Sequence, residues 1–235
     1  MRNLYVIATP IGNLQDITIR AAKTLLEVPF VIAESTSKAG ILFEFLKKEF
    51  PKFKYSHKQI ISFTEDEEEI KIASIFQKVD VNDAALISEA GTPLISDPGF
   101  KLVREAIKRG VQVTPVPGPS SVIAALSVSG LPTNKFLFLG YLPKKDGKRS
   151  EVLGNLKKTQ TVMSTTAIIL ESPHRLVDGL MSIKKIFGDI NIVIARELTK
   201  IHEEIRREKV SESIRYFEKN IPRGEFVILF STKSF

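Results

Sequence analysis

The sequence has no cysteine, no tryptophan and only three histidines among its 235 residues. Without cysteine there is neither a disulfide framework nor a thiolate metal site, and three scattered histidines argue against zinc, so we expect no metal centre. The chain also lacks an apolar run of the ~20 residues that a membrane helix needs. The short apolar run at its start has no credible cleavage site, and we interpret it as a strand. We therefore expect a cytoplasmic protein without a membrane partner.

Several catalytic and phosphate-binding fingerprints are missing as well. No Gly-x-Gly-x-x-Gly follows the first apolar run, and no Gly-x-x-x-x-Gly-Lys-Ser/Thr occurs in the chain. There is also no Gly-x-Ser-x-Gly elbow of the kind that holds a nucleophilic serine. These absences argue against a classical dinucleotide enzyme, a P-loop NTPase and an α/β-hydrolase.

The charge balance is basic. Lysine and arginine number 34 against 27 acidic residues, which gives a net charge of +7. Such a surface suits a polyanion, for example nucleic acid or anionic lipid. A moderate excess is equally compatible with general solubility, so composition leaves both interpretations open.

Apolar β-type runs alternate with helical periodicity along the first half of the chain. The clearest runs lie at 4–9, 30–33, 84–87 and 111–116. This alternation predicts an α/β domain with a mostly parallel sheet. The dense turn signal at 115–121 then marks a boundary. We predict an N-terminal α/β domain over 1–115 and a C-terminal α/β domain over 116–235.

The second half predicts a mixed sheet with flanking helices. Its apolar runs lie at 136–139, 166–170, 190–195 and 226–230. Between them we expect a basic, glycine-containing loop over 144–149 and a charged helical stretch over 203–217.

Small and turn residues recur where the predicted strands end. The stretch 84–99 is the clearest case, because an apolar run is followed by a loop with two glycines and two prolines, and then by a helical pattern from Phe100. Ligands bind at such positions in α/β sheets, although a single loop of this kind is often a plain connection. Four such loops favour a site for a flat polar cofactor: Pro10–Gly12, Ala90–Thr92, Pro117–Ser121 and Gly140–Pro143.

Six blocks carry a family resemblance, in the same order along the chain. They are Thr9–Leu14, Ser88–Gly99, Pro117–Ser120, Gly140–Pro143, Glu171–Arg175 and Ala195–Lys200. Together they resemble the 16S rRNA cytidine 2′-O-ribose methyltransferases, which belong to the tetrapyrrole-methylase-like (class III) enzymes that use S-adenosylmethionine.

The resemblance implies two tetrapyrrole-methylase-like α/β domains with S-adenosylmethionine in the cleft between them, and a homodimer that acts on 16S rRNA of the small ribosomal subunit. It also implies which residues lie at the cofactor. These are Pro10, Glu89, Ala90, Gly91, Ser120, Ser121 and Leu142.

Two stretches depart from the family pattern, one outside the six blocks and one inside them. After the second strand the family usually has Glu-Asp-Thr-Arg, whereas this chain has Ser35 and Ser37 in place of the acid and the base. In the central loop, Glu89 replaces the usual aspartate, which keeps the charge on a longer side chain.

Charged residues at two strand ends of the second half are the candidates for chemistry. A ribose hydroxyl needs a base or a polarising cation to react, and we expect Glu171, His174 or Lys200 to provide one. For RNA binding we expect contacts to phosphate from a larger basic set, to which Lys200 also belongs: Lys144, Lys145, Lys148, Arg149 and Arg175. The alternatives are that Glu171 and Arg175 form a structural ion pair and that the basic loop is merely solvated.

Three functions therefore remain open at the level of sequence. The leading interpretation is 2′-O-methylation of a cytidine ribose in 16S rRNA. A methylase of a tetrapyrrole or another small molecule would share the same cofactor loops. An RNA-binding protein with impaired catalysis is compatible with the changes at Ser35 and Ser37.

Overall fold

The computed structural model describes residues 2–79 and 81–231. The chain divides into two compact units, Met1–Ser120 and Ser121–Phe235. This division falls within the proline-rich turn at 115–121 in which the domain boundary is predicted.

The first unit contains one parallel sheet, as the alternation of strands and helices predicts. The strand order is β3-β2-β4-β1-β5, and every described pairing is parallel. The strands are β1 (Asn3–Ile7), β2 (Phe30–Ala33), β3 (Gln59–Ser62), β4 (Ala84–Ile87) and β5 (Gln112–Val116). The helices are α1 (Ile19–Glu27), α2 (Thr36–Glu49), α3 (Glu68–Val79) and α4 (Phe100–Lys108).

Helices cover both faces of this sheet because successive strand residues point to opposite sides. Val31 belongs to the core cluster with Leu25 of α1 and Leu46 of α2, whereas its neighbour Ile32 belongs to the cluster with Phe76 of α3. Each such side chain contributes roughly 1.5–3 kcal/mol when it is fully buried. Because all strands run the same way, the loops that follow them emerge at one edge of the sheet.

The second unit contains the expected mixed sheet. Its order is β6-β7-β10-β8-β9, with β6 parallel to β7 and the other pairs antiparallel. The strands are β6 (Phe136–Tyr141), β7 (Thr166–Glu171), β8 (Asn191–Arg196), β9 (Glu204–Lys209) and β10 (Phe226–Ser231). The helices are α5 (Ser121–Ser129), α6 (Asp146–Val162), α7 (Leu176–Phe187) and α8 (Val210–Lys219).

Two predicted elements of the second unit are wrong. The basic stretch over 144–149 is a loop only at its start, because α6 begins at Asp146 and includes Lys148 and Arg149. The stretch predicted as one helix over 203–217 is a strand, β9, followed by α8. In β9 the charges alternate with a period of two, so that Arg206 lies between Glu204 and Glu208 and pairs with both.

Among the described residues, no helix is both long and apolar enough to cross a membrane.

Candidate functional site

Three loops of the first unit are joined directly where β1, β4 and β5 end. Thr9 and Gly91 exchange two backbone hydrogen bonds, with N···O distances of 2.9 and 3.0 Å. The Thr92 hydroxyl donates to the Pro119 carbonyl at 3.2 Å. A Cβ atom added at Gly118 would lie 3.1 Å from the Cβ of Ala8, so the absence of a side chain favours this close approach. Pro10, Ala90, Gly91 and Ser120 are thereby held at neighbouring loops.

Two charged residues that follow β2, one in the loop and one in α2, contact Glu89. The backbone N–H of Glu89 donates to the Glu34 carboxylate at 3.1 Å, and the Lys38 ammonium pairs with the Glu89 carboxylate. This contact is possible because β2 lies next to β4 in the sheet. Ser35, one of the two unusual serines, is the N-cap of α2 and its hydroxyl accepts from the Lys38 N–H at 3.3 Å. Ser35 therefore has a local structural role at the start of that helix.

The loop between β4 and α4 holds unusual backbone and an acid with a shifted pKa. Leu94 and Ser96 have φ values of 72° and 67°, a left-handed conformation that costs a side-chain-bearing residue roughly 1–2 kcal/mol. Burial raises the pKa of Asp97 to about 6; the Ser88 hydroxyl opposes the rise, and the charges of Glu34 and Glu89 add to it. Strain and a shifted pKa in one loop are typical of a functional site.

The first unit fits a flat cofactor that carries hydroxyl and ammonium groups. The Thr9 hydroxyl is buried and has no hydrogen-bond partner among the described residues. Beside it, Gly91 has φ +81° and binds Thr9 through both its N–H and its C=O, so it joins the two loops without adding a side chain. The carboxylates of Glu89 and Asp97 are acceptors for ribose hydroxyls or for an ammonium group. These groups match the polar parts of S-adenosylmethionine.

In the second unit, Glu171 ends β7 and is enclosed by protein. Its side chain is 1% exposed, and it forms an ion pair with Arg175 at 3.6 Å. One carboxylate oxygen accepts from the Ser172 N–H at 2.9 Å, whereas the other has no partner among the described residues. Burial raises the pKa of Glu171, and the Ser172 N–H and the arginines Arg175 and Arg149 offset this only in part. A carboxyl group so enclosed within its unit is better placed to orient Arg175 than to meet a substrate.

Lys200 follows β8 and lies between two acids. Its ammonium donates to Glu197 at 2.9 Å and to Glu225 at 3.1 Å. Burial lowers the pKa of Lys200, but the hydrogen bonds and charges of these two carboxylates outweigh that effect and raise it above its ordinary value. Lys200 is therefore a fixed cation at neutral pH and is unsuited to act as a base.

His174 and three of the predicted RNA-binding residues are exposed, whereas Arg149 is not. His174 lies in the short turn Pro173–Arg175 and is exposed. Lys144, Lys145 and Lys148 are exposed as well. Arg149 is only 8% exposed, so it faces the interior of the unit and not solvent.

Residues 3–213 match the profile of the family described as Tetrapyrrole (Corrin/Porphyrin) Methylases. The chain belongs to the tetrapyrrole methylase family. Among its relatives is Ribosomal RNA small subunit methyltransferase I of Thermotoga maritima, which is 43% identical over 235 residues. The match spans 99% of this chain and 100% of that protein. The protein of the same name from Pseudomonas aeruginosa is 43% identical over 230 residues, which are 96% of this chain and 77% of that protein. The resemblance carried by the six sequence blocks is thus confirmed.

The fold agrees with this membership. A crystal structure of diphthine synthase superposes with a TM-score of 0.74, at 12% identity, over 99% of this chain and 90% of that chain. At this identity the similarity concerns the fold alone.

In this member of the tetrapyrrole methylase family, the predicted cofactor residues divide between the two units. Pro10, Glu89, Ala90, Gly91 and Ser120 lie in the first unit, whereas Ser121 begins α5 and Leu142 follows β6 in the second. The predicted Glu171, His174 and Arg175 share the end of β7, and Lys200 lies after β8 at the same edge of the mixed sheet.

Sequence reasoning missed four residues around the first-unit loops: Thr9, Glu34, Lys38 and Asp97. Thr9 and Asp97 lie inside recognised blocks, but the sequence does not indicate how far their side chains are buried. Glu34 and Lys38 follow β2, and their link to Glu89 depends on the order of strands in the sheet.

Proposed function

We propose that this chain transfers a methyl group from S-adenosylmethionine to the 2′-oxygen of a cytidine ribose in small-subunit rRNA. The observation that carries the proposal is the full-length similarity to the protein named Ribosomal RNA small subunit methyltransferase I. The joined loops of the first unit support it, because they present the polar groups that such a cofactor needs. We further propose that the enzyme acts in the cytoplasm as a homodimer.

The first-unit loops would bind the cofactor. Pro10, Ala90 and Gly91 leave space because they lack long side chains, Glu89 offers a carboxylate, and Ser120 lies beside Pro119 in the third loop. We assign Ser121 and Leu142 of the second unit to the same cofactor. S-adenosylmethionine, when bound, supplies an electrophilic methyl group on a sulfonium.

The second unit would hold the RNA and assist the nucleophile. Lys144, Lys145 and Lys148 are exposed cations suited to phosphate, and Lys200 is a further fixed cation. Of the three predicted acid–base residues, we assign the base to His174, because its imidazole is exposed. Glu171 is enclosed and Lys200 is held in its charged form by Glu197 and Glu225. Proton transfer by a positioned base contributes typically 10²–10⁴-fold to the rate.

The test is transfer of labelled methyl from S-adenosylmethionine to purified small ribosomal subunits that lack the modification, followed by mapping of the product. We expect label at the 2′-oxygen of one cytidine, and a loss of at least about 10²-fold in His174→Ala. A matched control is His202→Ala, which changes another exposed histidine. Label on a tetrapyrrole such as uroporphyrinogen III, with none on the subunits, would support the small-molecule alternative. Binding of RNA without any transfer would support the non-catalytic one.

A further inference from the structure

Three exposed lysines lie on the connection between β6 and α6 and on the first turn of α6. We call Leu142–Lys148 the lysine segment. Among the described residues, Lys144, Lys145 and Lys148 form no ion pair, although Asp146 lies between them. The Asp146 carboxylate is instead bound by Arg149 at 3.0 Å. The lysines therefore keep their charge available for an anionic partner.

Arg149 holds this segment from the interior of the unit. Its guanidinium donates to the Lys144 carbonyl at 3.4 Å, to Asp146 at 3.0 Å and, from Nε, to the Ser182 hydroxyl of α7 at 2.8 Å. Ser182 is 5% exposed, and its hydroxyl donates a hydrogen bond to the Asp178 carbonyl at 2.9 Å. One buried guanidinium thus joins the start of α6 to the middle of α7.

Arg175 holds the other end of the segment. It donates a hydrogen bond to the carbonyl of Leu142 and is paired with the enclosed carboxylate of Glu171. A Cβ atom at Gly179 would lie 3.1 Å from Oε2 of Glu171, so the missing side chain at that position leaves room for the carboxylate. Both arginines bind main-chain carbonyls of the lysine segment, at residues that are two positions apart.

We propose that Arg149 and Arg175 are positioning residues that fix the lysine segment in the conformation that binds RNA phosphate. This inference rests on the proposed function and changes one part of it, because these two arginines were expected to contact phosphate themselves. Both guanidinium groups are engaged with carbonyls and carboxylates of their own unit, whereas the lysines are exposed, and a preformed row of lysines avoids the cost of ordering long side chains on binding. The exposed lysines supply the charge, and the two arginines hold the main chain that carries them.

The decisive measurement is the salt dependence of binding to small ribosomal subunits. Each phosphate contact contributes about 0.7–0.9 to the slope of log K against log salt. We expect the magnitude of this slope to fall by about 2–3 in a variant with Lys144, Lys145 and Lys148 all changed to Gln. Ser182→Ala and Arg175→Lys should instead weaken binding roughly 3- to 10-fold with the slope unchanged. These variants lose the ordering of one or two side chains but keep every charge.

Two further variants complete the series. Arg149→Gln removes a charge and should also leave the slope unchanged, whereas a slope reduced by about 0.7–0.9 in Arg149→Gln would make Arg149 a phosphate ligand and overturn the proposal. Ser127→Ala is the matched control for Ser182→Ala, since Ser127 also donates to a carbonyl of its own helix but has an exposed position. In turnover, Ser182→Ala should raise the KM for the subunits while kcat and the Kd of S-adenosylmethionine stay unchanged. A variant that was merely less stable would not show this split.

Hydrogen exchange without RNA separates this proposal from the proposed function. Amides of the peptide that covers 143–150 should exchange roughly 3- to 10-fold faster in Ser182→Ala and in Arg149→Lys, with Ser127→Ala unchanged, because local opening needs only the loss of these contacts. Unchanged exchange would overturn the positioning role, whatever the substrate is. If exchange is faster in these variants but neither the wild type nor any variant binds subunits, the result counts against the RNA function alone.

Discussion

Gly224 lies directly against the carboxylate of Glu197, so that a Cβ atom at position 224 would overlap the carboxyl group. Glu197 in turn accepts hydrogen bonds from the Lys200 ammonium and from the Glu225 N–H, at 2.9 and 3.1 Å. The absence of a side chain at Gly224 is therefore what allows the acids and the lysine to assemble at this end of β8 and β10.

Gly224→Ala should destabilise the protein and displace Lys200. Its φ of +88° is strained for alanine, and the overlap with Glu197 adds to that strain, so we expect a loss of about 2–4 kcal/mol in the free energy of unfolding. Urea denaturation measures this change in the free energy of unfolding. Gly154→Ala is the matched control, because Gly154 lies inside α6 with open space around its Cα, and alanine there should stabilise by roughly 0.5–1 kcal/mol. Equal stability of the two variants would contradict the contact.

Glu89→Gln should weaken binding of S-adenosylmethionine in the proposed site. The amide keeps the size of the side chain but loses the charge that Lys38 now balances and that would attract an ammonium group. We expect the Kd to rise about tenfold, which corresponds to about 1.4 kcal/mol. Isothermal titration calorimetry provides the value, with Glu44→Gln on the exposed face of α2 as the control. An unaltered Kd would remove Glu89 from the cofactor site.

The succession of strands and loops was predictable from the sequence because buried parallel strands are short apolar runs that end in glycine and proline. That pattern located Glu89 and Gly91 at the end of β4. It could not show that Glu34 contacts Glu89, because this depends on β2 lying next to β4. Contacts across a sheet are set by strand order, which local periodicity does not encode.

Charge patterns were the weaker guide in the second half. The stretch Glu204–Lys209 has no alternation of apolar residues, so its charges suggested a solvated helix. In the structure it is an edge strand that pairs with β8. Arg206 stacks 3.6 Å from the ring centre of Tyr216 and bridges Glu204 and Glu208. Such tertiary contacts override local preference at a sheet edge.

Asp97→Asn should change how stability depends on pH. The folded protein raises the pKa of Asp97 from 3.8 to about 6, so between these values it binds more protons than the unfolded chain does. The free energy of unfolding contributed by this group therefore rises as pH falls from about 6 to about 4, and is lowest above pH 6.

Asn cannot ionise, so the variant should be more stable than the wild type at pH 7, by on the order of 1 kcal/mol for a partly exposed group, and equal to it near pH 4. Thermal denaturation across pH 4–7 tests this prediction. Asp66→Asn, at an exposed position, is the control. A constant difference between wild type and Asp97→Asn across this range would show that the pKa of Asp97 is not raised by folding.

Thr9→Val should have opposite effects on the free protein and on cofactor binding. The Thr9 hydroxyl is buried without a partner among the described residues, and an unsatisfied buried polar group costs about 1–3 kcal/mol. Valine has nearly the same shape and should stabilise the protein without cofactor by about that amount.

If the hydroxyl meets a polar atom of S-adenosylmethionine, its loss should raise the Kd about 5- to 10-fold, as for one hydrogen bond. Thr159→Val is the control for a hydroxyl outside the site, because Thr159 is half-buried in α6 and donates to the Asn155 carbonyl. A stabilised variant with unchanged affinity would mean that Thr9 is only a packing residue between the loops of β1 and β4, whereas the combination of higher stability and weaker binding would place its hydroxyl in the cofactor site.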